Sequence, residues 1–405
     1  MQNLRLPQYS FPIVMAAGSL VLLLVFGIRA GFGLFLKPIS ADLGWGREIF
    51  AMTIALQNLF WGAFQPLMGA VSDRYGSGRT LVLGGAAYTV GLLLMSQASS
   101  PVTLYLSGGL MIGLGLSGSG LAVVLGAVGR AASEEQRSLA MGIGTAAGSL
   151  GQFWIAPLGQ FFISSYGWST ALILLSIFSL MIVPAAVALT GNNTTIKNPL
   201  RGQENQGFRE ALAEAFGHKG FLYLTAGFFV CGFHVVFIGT HLPAFLEDQG
   251  LDPKYGAWSL AFIGFFNVIG SFASGYLGGK FSKKYCLSLL YLSRALLFVA
   301  FILMPTTPAS VLIFSAIIGL LWLSTVPLTT GIVSQVFGPK YFSTLFGIVF
   351  FSHQIGSFLG AWLGGYLYDT TGSYDAVWWI SVALGLASAV LHYPINEQSL
   401  RTVPA

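Results

Sequence analysis

FPIVMAAGSLVLLLVFGIRAGFGLF (residues 11–35) is an apolar run broken by a single charge, Arg29. A second segment repeats it 205 positions later, where VCGFH (residues 230–234) aligns with VFGIR (residues 25–29). His234 then falls opposite Arg29, and Pro243 opposite Pro38. A run of this length spans the hydrocarbon core of a bilayer, which takes about 20 apolar residues. A guanidinium within such a run is costly, so it marks a functional site by default. At the seam of a duplicated membrane chain it points to an anion site.

Composition agrees. The chain has 55% hydrophobic and 8% charged residues and a mean hydropathy of +0.75, against about 25% charged residues in soluble domains. The 52 glycines suit helices that pack closely in lipid. Cys231 and Cys286 lie in or beside apolar runs and support neither a disulfide framework nor a metal site. The first apolar run exceeds the ~7–15 residues of a signal-peptide core, so it reads as a retained span.

Eleven further runs follow near 49–70, 80–98, 102–129, 138–163, 168–190, 220–246, 255–278, 285–304, 308–335, 341–366 and 375–393. With 11–37 they make twelve expected transmembrane helices. They divide into an N-terminal six-helix bundle (1–190), a linker (191–219) and a C-terminal six-helix bundle (220–405). Within the linker, FREALAEAF has the pattern of a short amphipathic helix. If both termini share one side, that side collects fourteen Lys/Arg and the other only Lys37, Arg47 and Lys254; Arg29 and Arg294 lie within spans. The positive-inside rule therefore places both termini and the linker in the cytoplasm. The net charge of +5 is explained this way, with no need for nucleic acid.

The 205–206 offset recurs through the chain, pairing Gly69 with Gly275, Gly113 with Gly319, Gly151 with Gly356 and Gly159 with Gly364. Two six-helix halves related by a pseudo-two-fold axis are expected, with the cargo site between them near mid-depth.

Within this frame GAVSDRYGSGR (residues 69–79) resembles the loop motif of the major facilitator superfamily, through Gly69, Asp73, Arg74 and Gly76. In the second half Gly275, Leu277, Lys280, Lys283 and Lys284 keep the pattern, with Gly279 in place of the acid. The resemblance implies an all-α membrane fold, alternating access, and a cytoplasmic gate formed by Asp73 and Arg74 with Arg130. It is nearest the organic-anion porters, the monocarboxylate and oxalate/formate branches. GFGLFLKPISADLGWGRE after the first span is similar to the monocarboxylate porters. Where those porters carry an Arg in the eighth span this chain has Ser271, and Asn267 stands where some carry an acid. The expected anion-binding charge therefore moves to Arg29.

All fourteen Asp and Glu fall in loops, at span edges or in the tails. Inside the spans the ionisable cations and imidazoles are Arg29, Arg294, His234 and His353, with His241 near an outer end. Such a lining favours a carboxylate, which a planar guanidinium holds with two parallel hydrogen bonds. Gln57, Asn58 and Trp61 in the second span, Gln152 in the fifth, Asn267 in the eighth and Trp322 in the tenth are expected to complete the site. Taken singly, each reads more readily as interhelical glue than as a ligand contact, and for Arg294 pairing with a neighbouring helix or local water is the better reading. With no acid available, His234 or His353 would carry a proton, since imidazole titrates near neutral pH.

The expected protein is a secondary transporter of a small organic anion, a monocarboxylate by preference, taken up with a proton. It is expected to be a monomer in a bacterial-type inner membrane. An exporter or importer of a larger metabolite, such as a polycarboxylate siderophore, is the second reading. A non-transporting membrane sensor built on the same fold is a third. No nucleophile–base constellation, metal spacing or phosphate loop is visible, so neither an enzyme nor a bound cofactor is expected.

Overall fold

In bilayer hydrocarbon every backbone polar group must be satisfied within the protein, and long apolar stretches meet that demand as helices. The computed structural model describes residues 9–190, 207–338 and 340–400, and within them the chain is helical throughout. Residues 191–206 of the linker, with Lys197 and Arg201, lie outside the described residues, as do Arg5 and Arg401.

The crossing helices are numbered in chain order. The first half holds α1 (Phe11–Ala30), α2 (Arg47–Tyr75), α3 (Ser77–Met95), α4 (Pro101–Ala131), α5 (134–166) and α6 (168–188). The second half holds α7 (Lys219–Asp248), α8 (Pro253–Lys280), α9 (Lys283–Leu303), α10 (Pro308–Phe337), α11 (Phe342–Thr371) and α12 (Asp375–His392).

Ten helical stretches among the described residues are long and apolar enough to cross a membrane. Twelve crossings result because one of those stretches turns at Gly167 and crosses twice, and because α2, 29 residues long, crosses despite its polar Gln57, Asn58 and Gln65. Gly167 has φ +80°, a conformation open to glycine and strained for other residues. The expected linker helix is present as Phe208–Gly217, with Ala211 and Ala215 buried and Phe208 and Phe216 exposed.

The duplication is visible in the packing. A Cβ on Gly151 of α5 would strike the carbonyl of Leu23 in α1; at the same offset, one on Gly356 of α11 would strike the carbonyl of Phe229 in α7. Likewise Gly113 of α4 abuts Gln57 and Phe60 of α2, as Gly319 of α10 abuts Ile263 and Phe266 of α8. The halves meet where α2 packs on α11 and α5 on α8.

Two helices on the repeat are discontinuous. α4 contains a π-helical stretch, Tyr105–Met111, and breaks at the extended Gly120. α10 stops at Leu321 and resumes at Thr325. Pro327 lacks an N–H for the carbonyl four residues back and crowds it, which explains an interruption there.

Candidate functional site

α1 ends one residue after Arg29, at Ala30, and beyond the Gly31 cap the chain tightens into a 3-10 turn over Phe32–Phe35. That leaves the guanidinium on the wall of a cavity lying between the halves. α1, α2 and α5 contribute Arg29, Ile54, Gln57 and Gln152 to its wall, and α7, α8 and α10 contribute Val235, Val236, Leu260 and Trp322.

Arg29 is held by neutral groups. Its Nη2 donates to Asn58 Oδ1 at 2.7 Å, and its Cζ stands 4.9 Å from the centre of the Trp61 ring. Asn58 is fixed in turn, its Nδ2 donating to Ile54 O at 2.8 Å, and Trp61 Nε1 donates to Gln65 Oε1 at 2.9 Å. Arg29 Nε is buried with no partner among the described residues. An amide and a ring face steady the cation without neutralising it, so its charge stays available to an anion.

Gln57 and Gln152 each spend their amide N–H groups on the protein. Gln57 Nε2 donates to Gly108 O and Gln152 Nε2 to Leu260 O, both at 2.8 Å. Gln57 Oε1 has no partner among the described residues.

Six residues expected at the site are not on this wall: Asn58 and Trp61 stand behind it on Arg29, and His234, His353, Asn267 and Arg294 pack elsewhere. His234 faces away because Val235, Val236, Gly239 and Thr240 present α7 to the cavity, and successive helical residues turn by about 100°. Its Nε2 lies 2.9 Å from Ser381 O in α12, and its ring is edge-on to Phe298 in α9. The strict equivalence to Arg29 fails because α1 rewinds after Ala30 while α7 continues as a regular helix to Asp248.

His353 packs inside the second half, against the rings of Phe228 and Phe350, with Nδ1 3.1 Å from Gln354 Oε1. Asn267 is spent on structure. Its Nδ2 donates to Ser149 Oγ of α5 at 2.8 Å, and its Oδ1 accepts from Leu323 N at 3.0 Å. Arg294 is fully buried in α9 and donates to the carbonyls of Leu321 and Trp322.

The end bearing the α1–α2 and α7–α8 loops, the far side, is sealed by a network that sequence reading took only for loop charges. Arg47 binds Asp248 through both terminal nitrogens, at 2.6 and 2.8 Å, and stacks on the Tyr368 ring. Lys37 reaches Asp248 at 3.1 Å and Glu247 at 3.5 Å. Asp369 caps α2 from the opposite half, accepting from Arg47 N and Glu48 N at 2.9 and 2.8 Å. Seven acids on that side were the only sequence signal for this seal. At the linker side, Gly69 of α2, Gly142 of α5 and Gly347 of α11 have no atom within 4 Å of where a Cβ would stand.

In the α2–α3 motif, Gly76 takes φ +94° to make the turn. Arg130 of α4 donates to Ser77 Oγ, which lies 2.9 Å from Ser72 Oγ, so three helix ends are tied together. Arg74 is exposed, 5.3 Å from the Tyr75 ring. The Asp73 side chain lies outside the described residues. Among the described residues no group of three His, Cys, Asp or Glu side chains could hold a metal ion.

The model of the Major Facilitator Superfamily matches residues 18–361. Monocarboxylate transporter 13 of Rattus norvegicus is 30% identical over 381 residues, covering 90% of this chain and 84% of the relative. Its Bos taurus counterpart is 31% identical with the same coverage. Among solved structures, a D-xylose-proton symporter superposes with a TM-score of 0.75 at 13% identity, over 97% of this chain and 100% of the other. A bacterial homolog of the human lysosomal transporter Spinster gives 0.72 at 16% identity, over 94% and 93%. The two structures share the fold. The chain therefore belongs to the major facilitator superfamily, as a membrane transporter, and not an enzyme, related to the monocarboxylate branch.

Proposed function

We propose that the chain carries a small monocarboxylate across the membrane by alternating access, with Arg29 as the anion site. The observation that carries this reading is the cavity-facing guanidinium whose own partners, Asn58 and Trp61, are both uncharged. Gln57 and Gln152 supply polar edges, while Ile54, Val235, Val236, Leu260 and Trp322 wall an apolar tail. A cavity with one cation on its wall suits a small acid of single charge. A polycarboxylate siderophore would call for several cations. Kinship with proteins named monocarboxylate transporters supports the same class.

The positive-inside bias favours cytoplasmic termini in a bacterial-type plasma membrane, which makes the far-side seal the outer gate. Arg130, Ser77, Asp73 and Arg74 would then form the inner gate. A monomer suffices, since both halves of the site come from one chain. Proton coupling belongs to the same reading. Of the two histidines, His353 is the better placed: it touches Gln354, whose Nε2 donates at 3.2 Å to the main-chain oxygen of Asn58, the residue that holds Arg29.

The test is uptake of radiolabelled L-lactate into proteoliposomes containing a pH-sensitive dye. Lactate entry with internal acidification is expected. Entry without a pH change removes proton symport, and no carboxylate entry removes the function itself.

A further inference from the structure

Arg294 is buried in the second half with 0% of its surface exposed, away from the cavity wall, and its hydrogen bonds go to main-chain oxygens. Nε and Nη2 reach Leu321 O at 3.2 and 2.6 Å, and Nη2 also donates to Trp322 O. These carbonyls stand at the α10 break, between Leu321 and Thr325. A helix that stops inside a protein leaves orphan carbonyls, and its C-terminal end attracts a cation. Arg294 meets both demands at once.

The rest of the break is held as closely. Leu323 N donates to Asn267 Oδ1 at 3.0 Å, and Ser274 Oγ donates to Ser324 O. Asn267 Nδ2 then reaches Ser149 Oγ in the opposite half at 2.8 Å. At the equivalent depth of the first repeat, 206 positions earlier, stands Tyr88, whose hydroxyl donates to Val25 O at 3.2 Å. The architecture therefore accepts an uncharged residue there, and the charge at Arg294 answers a local need of α10. What the break delivers is Trp322, which projects from the interruption onto the cavity wall.

We infer that Arg294 is a positioning residue for cargo selection: it locks the α10 break, and so sets how far the Trp322 indole reaches into the cavity and which tail length fits. The inference rests on the carboxylate-transport reading for its substrate class, while its structural half stands without that reading.

The experiment compares the wild type, Arg294→Met, Arg294→Lys, Trp322→Ala and the Arg294→Met/Trp322→Ala double variant. The readout is kcat/KM for [14C]hexanoate relative to [14C]propionate in proteoliposomes. Trp322→Ala and Arg294→Met are each expected to shift this ratio about tenfold, the scale at which a pocket senses added methylenes. The double variant is expected to shift it no further than one single change, because coupled residues are not additive. Arg294→Lys, which can serve a carbonyl without the planar fork, is expected to fall between, at about threefold.

An unchanged ratio in Arg294→Met, or single effects that multiply in the double variant, overturns the inference. If Arg294→Met does not fold, Arg294→Lys decides alone, an unchanged ratio again overturning it. Hydrogen–deuterium exchange separates this from failure of the transport reading. If the wild type carries neither acid, exchange in residues 319–326 is expected to change in Arg294→Lys while α9 stays as it was. Identical exchange in both regions overturns the inference independently of any cargo.

Discussion

At the scale of single residues, everything turns on how Arg29 is partnered. A guanidinium in a low-dielectric site is costly unless paired, and here its hydrogen bond goes to a neutral amide, Asn58. Asn58→Asp should therefore be as informative as changing the arginine. The carboxylate would close a salt bridge to Arg29 in place and neutralise the charge offered to the cargo, at the loss of the Asn58 Nδ2 donation to Ile54 O. Lactate uptake is expected to fall more than about tenfold, or at least 1.4 kcal/mol in binding. Undiminished uptake by Asn58→Asp would show that the cargo does not compete for that nitrogen. Arg29→Lys should lose about tenfold by giving up the fork, since a point charge is a poorer match to a planar carboxylate.

Arg29 was legible in the sequence because a charge in an apolar run has few cheap explanations. The rotation of α7 was not legible. It is apolar on every face, so no periodicity distinguishes the side bearing Val235 and Val236 from the side bearing His234.

At the scale of elements, the twelve helices could be read from hydropathy and from the half-chain offset, because lipid admits so few alternatives for a backbone. The contacts that make the halves similar involve glycines, and these give sharp predictions. Gly151→Val and Gly356→Val would each press a side chain into a backbone carbonyl of the facing helix. Each is expected to cost about 1–3 kcal/mol by overpacking, read as a lower Tm of the purified protein. Gly142→Ala and Gly347→Ala face open space and should leave Tm unchanged. Equal losses in the two pairs would contradict the packing. The break in α10 shows where sequence reading ran out. The tenth span reads as one apolar run, and Arg294 and Asn267 can be recognised as props of its interruption only once α8, α9 and α10 are seen side by side.

At the scale of the whole molecule, the far side is locked by ion pairs, which in the proposed alternating-access cycle marks one end of the motion. The lock is ionic and partly exposed, with side-chain exposures of 12% for Arg47 and 22% for Asp248. Exposed pairs contribute about 0.2–1 kcal/mol each, so this network biases the molecule toward its present form without freezing it. Asp248→Asn removes a partner from both Lys37 and Arg47. It should raise the population open on the far side by about threefold to tenfold, on the scale of 1.4 kcal/mol per factor of ten. Double electron–electron resonance between spin labels on the α1–α2 and α7–α8 loops would report it as a longer distance component. An unchanged distance distribution would mean the network decorates the seam without holding it.

The sharpest test of the anion site needs no membrane flux. Calorimetric titration of the purified protein with L-lactate and with its neutral methyl ester, in wild type and Arg29→Gln, separates charge recognition from general affinity. Binding of lactate to the wild type alone, with the ester bound by neither protein, is the predicted result. Equal binding of lactate to Arg29→Gln, or of the ester to the wild type, would contradict it.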